Sequence, residues 1–334
     1  MSTSTISSAL SHFYYCLSNF KSPHFDGLTY SYDAEPLKYM LSQRKPNTVF
    51  MRMVDTRRGV YSIDNDSGFI EPSNMVLLKM GKYMEDMLTS PASSFRGKFL
   101  KPQGGAFHEG LQRRRKEPQR EDYYHYTKVN NLVLRSQIDC RKRELSPGEE
   151  PTVFELKTRA ACVLRYDIPN YIDYLDYRIV KNKGRHSSFE REYYDLIRGG
   201  FLKYLLQCKI GRMDGAFIAY HNTQRIFGFE YVKLQEMEQR VFGCSQFSNI
   251  IFQCSLTLLE KVLDYIIEDV GGSPEQQQRR MFKLGFYANE KERTLNIMVE
   301  TFEDQKIYED RFREIMPEYM QDPIDYYLSH RITP

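Results

Sequence analysis

Two acidic residues and a lysine in the middle of the chain have a spacing that suits metal-dependent chemistry. Glu155 and Lys157 are two residues apart in the segment F-E-L-K-T-R-A. If this segment is a β-strand, both side chains emerge on one face, with Cα atoms roughly 7 Å apart. Asp139 ends a preceding segment, L-V-L-R-S-Q-I-D, in which apolar and polar residues alternate. Asp139 and Glu155 are therefore predicted to share one face of a sheet.

Two carboxylates on one sheet face point to a bound cation. Neighbouring carboxylates repel each other and stay ionised together only when positive charge lies between them. Hard oxygen ligands favour Mg²⁺, with Mn²⁺ as the alternative. Such a cation polarises a phosphate oxygen and activates water, while Lys157 offsets the developing negative charge. The trio Asp139, Glu155 and Lys157 therefore predicts a metal-dependent nuclease.

An ordinary surface ion pair is the competing interpretation. Charged residues make up 27% of the chain, so an acid and a lysine two positions apart also arise by chance. Asp304 and Lys306 form such a pair. Spacing and strand alternation leave both interpretations open, with the ion pair slightly ahead.

Two further residues are candidates for the same site. Glu85 lies on a predicted helix over residues 72–88 and could be a third metal ligand, although a solvated helix acid is the plainer alternative. Gln207 ends a predicted helix over residues 189–207, where its amide could orient a phosphate. A surface amide near a helix end explains Gln207 equally well.

Binding to a polyanion would have to come from local basic patches. The formal net charge is only +3 over 334 residues, which gives no global positive field. One patch is the basic run at residues 113–116, followed by tyrosines at 123, 124 and 126. A second is the loop with Lys181, Lys183 and Arg185. With Arg159 on the face of Glu155, these patches could line a groove that neutralises the phosphates and stacks the bases of a single nucleic-acid strand, although each run alone is also typical of a solvated loop.

Several other functions are excluded by missing motifs. The chain has no phosphate-binding glycine loop, no serine-hydrolase elbow and no metal spacing among its histidines. Its six cysteines show no zinc-site spacing. No apolar run approaches the roughly 18 to 20 residues that cross a bilayer. The N-terminus lacks the pattern of a secretory or transit signal, so either the protein is cytosolic or the chain starts late.

Hydrophobic patterns outline the elements that must position these residues. They predict helices over residues 4–21, 72–88, 189–207 and 247–270, and a polar helix that starts at 234. They predict extended strands over residues 48–55, 59–66, 123–140, 152–167, 215–220, 225–232, 281–288 and 294–300. Residues 96–121, rich in Gly, Arg, Lys and Pro, are predicted to be a disordered basic insertion. This order indicates a mixed α/β core with a largely helical periphery.

The residues around the acidic pair resemble those of a known nuclease superfamily. Asp139, sixteen residues before the E-L-K segment, is similar in position to the first acid of PD-(D/E)xK nucleases. Longer strings are similar to the fungal mitochondrial RNA-processing factors of the Pet type; they include S-Q-I-D-C-R, F-E-L-K-T-R-A and L-Q-C-K-I-G-R-M-D-G-A-F-I-A-Y-H-N-T. The similarity runs from near the start of the chain to the helix around Leu263.

The resemblance implies a fold and a division of the chain. The fold is a mixed α/β sheet of the restriction-endonuclease-like kind, with an αβββαβ core and helical additions. Residues 71–235 would form the core, residues 1–70 a helical and hairpin part, and residues 236–334 a C-terminal helical and strand extension. Family proteins extend further on the N-terminal side, so the chain is expected to be truncated there and to lack the targeting segment.

The resemblance also implies roles for the site residues. Asp139 and Glu155 would hold the metal, with Glu85 as a further ligand. Lys157 would be the catalytic lysine, and Gln207 would join the catalytic group.

The implied activity is a Mg²⁺-dependent 5′-to-3′ exoribonuclease in mitochondrial RNA 5′-end processing and degradation. Its location would be the matrix, with inner-membrane association as an option. Implied partners are mitochondrial transcripts, mitochondrial RNA polymerase and the RNA degradation machinery. Two alternatives remain open: a non-catalytic RNA-binding adaptor, and a DNA nuclease of the same superfamily.

Overall fold

A computed structural model describes residues 1–65, 81, 85–91, 93, 123–142, 152–269, 272–273 and 280–303. Most of the predicted helix over residues 72–88 lies outside the described residues, as do the predicted insertion at 96–121 and everything after residue 303.

The described residues form β-strands in three sheets, with α-helices before, between and after them. The strands are β1 (Asn47–Asp55), β2 (Val60–Asn65), β3 (Tyr124–Val129), β4 (Leu132–Gln137), β5 (Cys140–Arg141), β6 (Val153–Ala160), β7 (Gly215–His221), β8 (Ile226–Lys233), β9 (Met281–Asn289) and β10 (Thr294–Phe302). The α-helices are α1 (Thr3–Leu17), α2 (Cys162–Tyr166), α3 (Phe189–Gly199), α4 (Phe201–Gly211), α5 (Leu234–Phe242) and α6 (Ser245–Asp269). Residues 85–89 are also helical. None of these described helices combines the length and apolar composition that a membrane span needs.

The predicted site residues lie on or beside a four-stranded mixed sheet with the order β5-β6-β7-β8. β6 pairs antiparallel with β5 and parallel with β7, and β8 returns antiparallel to β7. Nearly every residue of β7 is buried, as expected for a strand of a parallel pair that is covered on both faces. This sheet confirms the predicted mixed α/β class.

A second four-stranded sheet joins the early and late parts of the described chain. Its order is β10-β9-β1-β2, and all neighbouring strands are antiparallel. The β1–β2 hairpin and the strands β9 and β10 agree with the predicted segments, whereas no local pattern predicts that β1 pairs with β9. The division into residues 1–70, 71–235 and 236–334 stays a prediction, but this sheet spans its first and third parts.

Helix α1 lies at the centre of the hydrophobic core. Ile6, Leu10 and Phe13 are at most 1% exposed, and the helix packs against α4, α6 and β9. The Tyr14 hydroxyl donates to the Val241 carbonyl at 2.9 Å, which ties α1 to α5. One buried cluster combines residues from α1, from both four-stranded sheets and from α4, α5 and α6.

Three predicted segments have different bounds in the structure. The strand predicted over residues 123–140 is divided into the β3–β4 hairpin and the start of β5, because Asn130 begins a tight turn with φ 51°, a conformation that asparagine tolerates. The strand predicted over 152–167 ends at Ala160, and helix α2 follows. The helix predicted over 189–207 is divided into α3 and α4 at Gly200, where a Cβ would lie 2.8 Å from the Leu196 Cδ1 atom.

His12, as a neutral imidazole, connects α1 to two other parts of the fold. The Ala288 backbone N–H donates to His12 Nδ1 at 3.2 Å, so the opposite ring nitrogen donates to the Lys45 carbonyl at 3.1 Å. The residue is 1% exposed, and burial lowers the pKa of His12 to about 4. A second proton on the ring would remove the acceptor that Ala288 uses.

We predict that His12 makes the fold less stable as the pH falls from about 6.5 towards about 4. The unfolded chain takes up the proton first, so the free energy of unfolding decreases on acidification. Between pH 7 and pH 5 this residue should account for about 2 kcal/mol of the decrease. Urea unfolding of His12→Gln should show a correspondingly weaker pH dependence than the wild type. His186→Gln, at an exposed position, is the control; an unchanged pH dependence in His12→Gln would contradict the prediction.

Candidate active site

Glu155 and Lys157 lie on one face of β6, as predicted, but helix α4 covers that face. Glu155 is 4% exposed, and its carboxylate forms an ion pair with the Lys157 ammonium. The Lys157 side chain keeps 26% of its surface exposed. The Tyr204 ring of α4 has its centroid 5.9 Å from Lys157 Nζ. The acid and the lysine therefore form a largely buried pair, unlike an exposed surface ion pair.

Asp139 reaches the same strand through a backbone contact. It lies between β4 and β5, and the Leu156 backbone N–H donates to Asp139 Oδ2 at 2.9 Å. This hydrogen bond brings the Asp139 carboxylate beside the residue that follows Glu155. The structure therefore brings the predicted trio of Asp139, Glu155 and Lys157 together.

The electrostatics of the pair follow from burial and from neighbouring acids. Burial raises the pKa of Glu155, the Lys157 ammonium opposes this effect, and the carboxylates of Asp139 and Glu85 raise it further. Burial alone would lower the pKa of Lys157, but Glu155 and Asp139 raise it above its ordinary value. Lys157 is therefore protonated at neutral pH, held so by the neighbouring acids Glu155 and Asp139.

Glu85 approaches the site from the helical residues 85–89. It is half-buried, and its charge is close enough to raise the pKa of Glu155. Gly81, helical and buried, lies directly against β6: a Cβ at this position would be 3.0 Å from Thr158 Oγ1. A side chain at position 81 would therefore push against the strand next to Lys157. A glycine here permits the close approach that the predicted role of Glu85 requires.

Gln207, predicted at a helix end, lies inside helix α4 and is 6% exposed. Its Oε1 atom has no hydrogen-bond partner among the described residues. Buried polar atoms nearly always have partners, so this oxygen is an acceptor available to a ligand. Burial and the charge of Glu155 raise the pKa of the neighbouring Cys208 thiol, which shows that this part of α4 lies near the site.

Lys203 is a site residue that the sequence analysis missed. It precedes Gln207 by four positions on α4, so the two side chains lie on one helix face. Burial lowers the pKa of Lys203, the positive charge of Lys157 lowers it further, and Glu155 opposes both effects. Lys203 is therefore within electrostatic reach of the buried pair. Its spacing from Gln207 is the signal that could have identified it.

Arg159 does not face the solvent, which corrects its predicted place in the lining of an RNA groove. It is 8% exposed, and its Nη2 donates to the Asp195 carbonyl at 3.2 Å. A Cβ at Gly199 would lie 3.7 Å from the same nitrogen, so Arg159 packs beneath the junction of α3 and α4. The strand alternation that predicted its face is correct, but the crossover helices cover this end of β6.

The loop with Lys181, Lys183 and Arg185 lies on the surface before α3. Arg185 pairs with Glu35, and the loop closes where the Gly184 N–H donates to Glu190 at 2.6 Å. The contacts described for this loop do not include Asp139 or Glu155. Its role in RNA binding stays a prediction.

The polar groups of the site fit a hard divalent cation. Among the described residues, no group of three or more His, Cys, Asp and Glu side chains is arranged to hold a metal ion. Mg²⁺, however, commonly takes one or two carboxylates and completes its shell with water. Asp139 and Glu155 supply this donor set, and Glu85 adds a third negative charge nearby.

The order of elements defines the class of the protein. A helical segment at residues 85–89, the four strands β3 to β6, the helices α2 to α4, and strand β7 follow each other along the chain, with β3 and β4 as a separate two-stranded sheet. With an acid before the E-x-K strand, this mixed α/β arrangement is similar to the core of the PD-(D/E)xK class of nuclease folds. Within this class the chain belongs to the Pet127 family: the family model described as mitochondrial protein Pet127 matches residues 1–264.

Two curated relatives have similar sequences. The chain is 34% identical over 268 residues to the mitochondrial mRNA degradation protein pet127 of Schizosaccharomyces pombe, covering 79% of this chain and 48% of that protein. It is 34% identical over 242 residues to PET127 of Saccharomyces cerevisiae, named as a proposed mitochondrial translation system component, covering 71% of this chain and 27% of that protein. The chain thus spans about half of the first relative and about a quarter of the second. The assignment to the Pet-type family is confirmed.

Solved structures of Rai1 are more distant. Rai1 of S. pombe matches with a TM-score of 0.41 and 16% identity, over 78% of this chain and 66% of that chain. Candida albicans Rai1, crystallised with pU5 and Mn²⁺, matches with a TM-score of 0.37 and 14% identity, over 93% and 73%. At these TM-scores the similarity identifies no residue of the site.

We predict that Mg²⁺ or Mn²⁺ raises the unfolding temperature of the chain. A cation that binds only the folded state stabilises it by about 2.7 kcal/mol at a hundred times its Kd, which corresponds to roughly 5 °C. Thermal unfolding with Mg²⁺ and with EDTA measures the shift. The double variant Asp139→Asn/Glu155→Gln should show none, whereas the exposed control Asp173→Asn/Glu292→Gln should behave like the wild type. A full shift in the site variant would mean that the cation binds elsewhere.

Proposed function

We propose that this chain contains the catalytic centre of a divalent-metal-dependent ribonuclease that degrades mitochondrial RNA from its 5′ end. The observation that carries the proposal is that Asp139, Glu155 and Lys157 come together on and beside β6, with helix α4 packed against Lys157. Gln207 on α4 has an Oε1 atom without a partner among the described residues, which a substrate or water could use as an acceptor.

Asp139 and Glu155 would hold the cation, with Glu85 as a third acid. Such a cation, when bound, polarises a phosphate oxygen and lowers the pKa of a bound water. Lys157, which its two acidic neighbours keep protonated, stabilises the negative charge that grows on the phosphate in the transition state. As an ammonium it donates hydrogen bonds to the phosphate and does not take the proton of water.

Helix α4 would supply the remaining contacts. Gln207 Oε1 can accept a hydrogen bond from the attacking water and so fix its direction. Lys203, one turn earlier on the same face, adds positive charge for the phosphate. In the overall reaction the water oxygen bonds to phosphorus, the P–O3′ bond breaks, and one water proton ends on O3′.

RNA as the substrate is supported by family membership. The S. pombe relative is named as an mRNA degradation protein, and both relatives are named as mitochondrial. We further propose a location in the matrix or at the inner membrane, hydrolysis in the 5′-to-3′ direction, and partners such as mitochondrial RNA polymerase.

Substitution of the buried pair should abolish hydrolysis. We expect Glu155→Ala to lower the single-turnover rate on single-stranded RNA by about 1000-fold or more, and Lys157→Met by about 100-fold, because each removes charge stabilisation from the transition state. Glu292→Ala and Lys261→Met change exposed residues of the same types and should retain the wild-type rate. If Glu155→Ala degrades RNA as fast as the wild type, the assigned site is wrong.

The choice of label separates the alternative functions. A 5′-to-3′ exonuclease releases a labelled nucleotide from 5′-labelled RNA at the earliest times and shortens 3′-labelled RNA stepwise. An adaptor would bind RNA without any metal-dependent hydrolysis. A DNA nuclease would be inhibited as strongly by single-stranded DNA of equal length as by RNA, since preference for RNA requires contacts to the 2′-hydroxyl.

Lys203 should contribute to catalysis through its charge. We expect Lys203→Met to lower kcat/KM by about 10- to 100-fold and Lys203→Arg to restore most of it, because the arginine keeps a cation on the same helix face. The exposed Lys261→Met variant is again the control. Equal losses in the Met and Arg variants would point to a packing role in place of a charge role.

A further inference from the structure

The β3–β4 hairpin has one buried face and one exposed face. Leu134 and Ser136 of β4 are at most 1% exposed and face the core. On the opposite face, Tyr126 pairs directly with Arg135, and Tyr124 and Lys128 lie two positions to either side. We call Tyr124, Tyr126, Lys128 and Arg135 the ribbon face.

Aromatic and cationic side chains alternate on and beside the ribbon face. Tyr126 is 61% exposed and Tyr124 is 38% exposed, with ring centroids 6.5 Å apart. The Arg135 guanidinium lies 4.7 Å from the centre of the Tyr124 ring. The Arg141 guanidinium lies 5.3 Å from the Tyr123 ring at the end of the hairpin nearest the site. Exposed rings beside held guanidinium groups are the contacts that single-stranded nucleic acids use, through base stacking and phosphate binding.

The hairpin and its continuation concentrate positive charge that the chain as a whole lacks. Residues 123–142 contain four lysines and arginines, and their only acid is Asp139 of the candidate site. The net charge of the whole chain is +3. This local excess complements a polyanion.

The hairpin is held in a fixed position. Its turn is clamped to α6 by Glu260, whose carboxylate accepts from Asn130 Nδ2 at 2.8 Å and from the Asn131 N–H at 2.9 Å. On β3 the Thr127 hydroxyl donates to the Ile210 carbonyl of α4 at 2.8 Å. The ribbon face is therefore a preformed surface, which lowers the entropy cost of binding.

The ribbon face leads to the candidate site along β4. The Ile138 N–H donates to the Tyr123 carbonyl at 2.8 Å, which extends the ladder beyond the last residue of β4. Ile138 packs against the core, so the half-buried Asp139 follows Arg135 and Gln137 on the opposite side of the extended chain. Four residues of extended chain place Asp139 about 13 Å beyond Arg135.

We propose that the ribbon face binds single-stranded RNA and leads it to Asp139, an inference that rests on the proposed function. Bases stack on Tyr124 and Tyr126, while Lys128 and Arg135 neutralise phosphates. Because stacking needs unpaired bases, the surface selects single strands over duplexes.

The test is RNA binding by the full chain in EDTA, which separates binding from metal-dependent hydrolysis. The probe is a fluorescein-labelled single-stranded RNA of twelve uridines, followed by fluorescence anisotropy. Tyr124→Ala/Tyr126→Ala should raise Kd by about 10- to 100-fold, and Tyr124→Phe/Tyr126→Phe should stay within about 3-fold of the wild type, because the rings remain. Arg135→Gln should reduce the slope of log K against log salt by about 1.

The controls change matched residues away from the ribbon face. Tyr265 on α6 is 64% exposed, and Arg57 lies in the exposed turn after β1. Tyr265→Ala and Arg57→Gln should leave Kd unchanged within about 2-fold, and thermal unfolding of every variant checks that it is folded.

The outcomes separate this proposal from the proposed function. A folded Tyr124→Ala/Tyr126→Ala variant that binds the RNA as tightly as the wild type overturns the ribbon proposal, even when the wild type cleaves RNA. If the wild type binds a duplex of equal length as tightly as it binds the single strand, base stacking is not the mode of binding. Binding that depends on the tyrosines in a chain that never hydrolyses RNA supports the ribbon and overturns only the nuclease proposal.

Discussion

The parallel pairing of β6 with β7 is the constraint on which the site depends. Parallel neighbours cannot be joined by a tight turn, so the chain must cross over the sheet between them. Residues 161–214 make this crossover, and its last helix, α4, lies over the face of β6 that carries Glu155 and Lys157. This face of β6 carries polar residues, yet the crossover buries it. Buried charges are costly unless they are paired, which is why these two side chains pair with each other.

The crossover is itself fixed by buried charges at the end of β6. Arg165 of α2 contacts Glu192 at 2.6 Å and Asp195 at 3.0 Å, and both acids on α3 are completely buried. The helical conformation is interrupted at Gly200, so α4 is a separate helix from α3. Losing one partner of such a network leaves an uncompensated buried charge, so the network holds α3 firmly. The ion pairs on α3 therefore help to fix the position of the next helix, α4, which carries Lys203 and Gln207.

Local patterns predicted most elements, but not how charged faces are covered or which distant strands pair. Alternation in β6 correctly gave the common face of Glu155 and Lys157, because strand periodicity is local. The same alternation predicted that Arg159 is exposed, but it is buried in the structure. The residues of a strand do not reveal which helices will cover it. The sequence does not predict the turn at Asn130, because this turn lacks the glycine that usually marks a two-residue hairpin.

Pairing of β1 with β9 joins residues more than two hundred positions apart, and no local periodicity can predict such a pairing. The family resemblance is confirmed by the match over residues 1–264, whereas the choice between a metal site and an ion pair, which spacing left open, stays a prediction.

If the proposed function is correct, the charge distribution implies that RNA and a cation would bind to this site cooperatively. When ionised, Asp139, Glu155 and Glu85 would repel a phosphate, while the ribbon face and Lys203 provide positive charge nearby. A polyanion attracted to the flanks meets repulsion at the centre until a divalent cation neutralises the acids. Conversely, the phosphate of a bound strand offers an additional oxygen ligand to that cation. Each ligand thus removes a penalty that the other faces, and linkage requires the two affinities to rise by the same factor. With a net charge of only +3, the protein has no global field to hold RNA, so under the proposed function binding that leads to cleavage would depend on this local coupling.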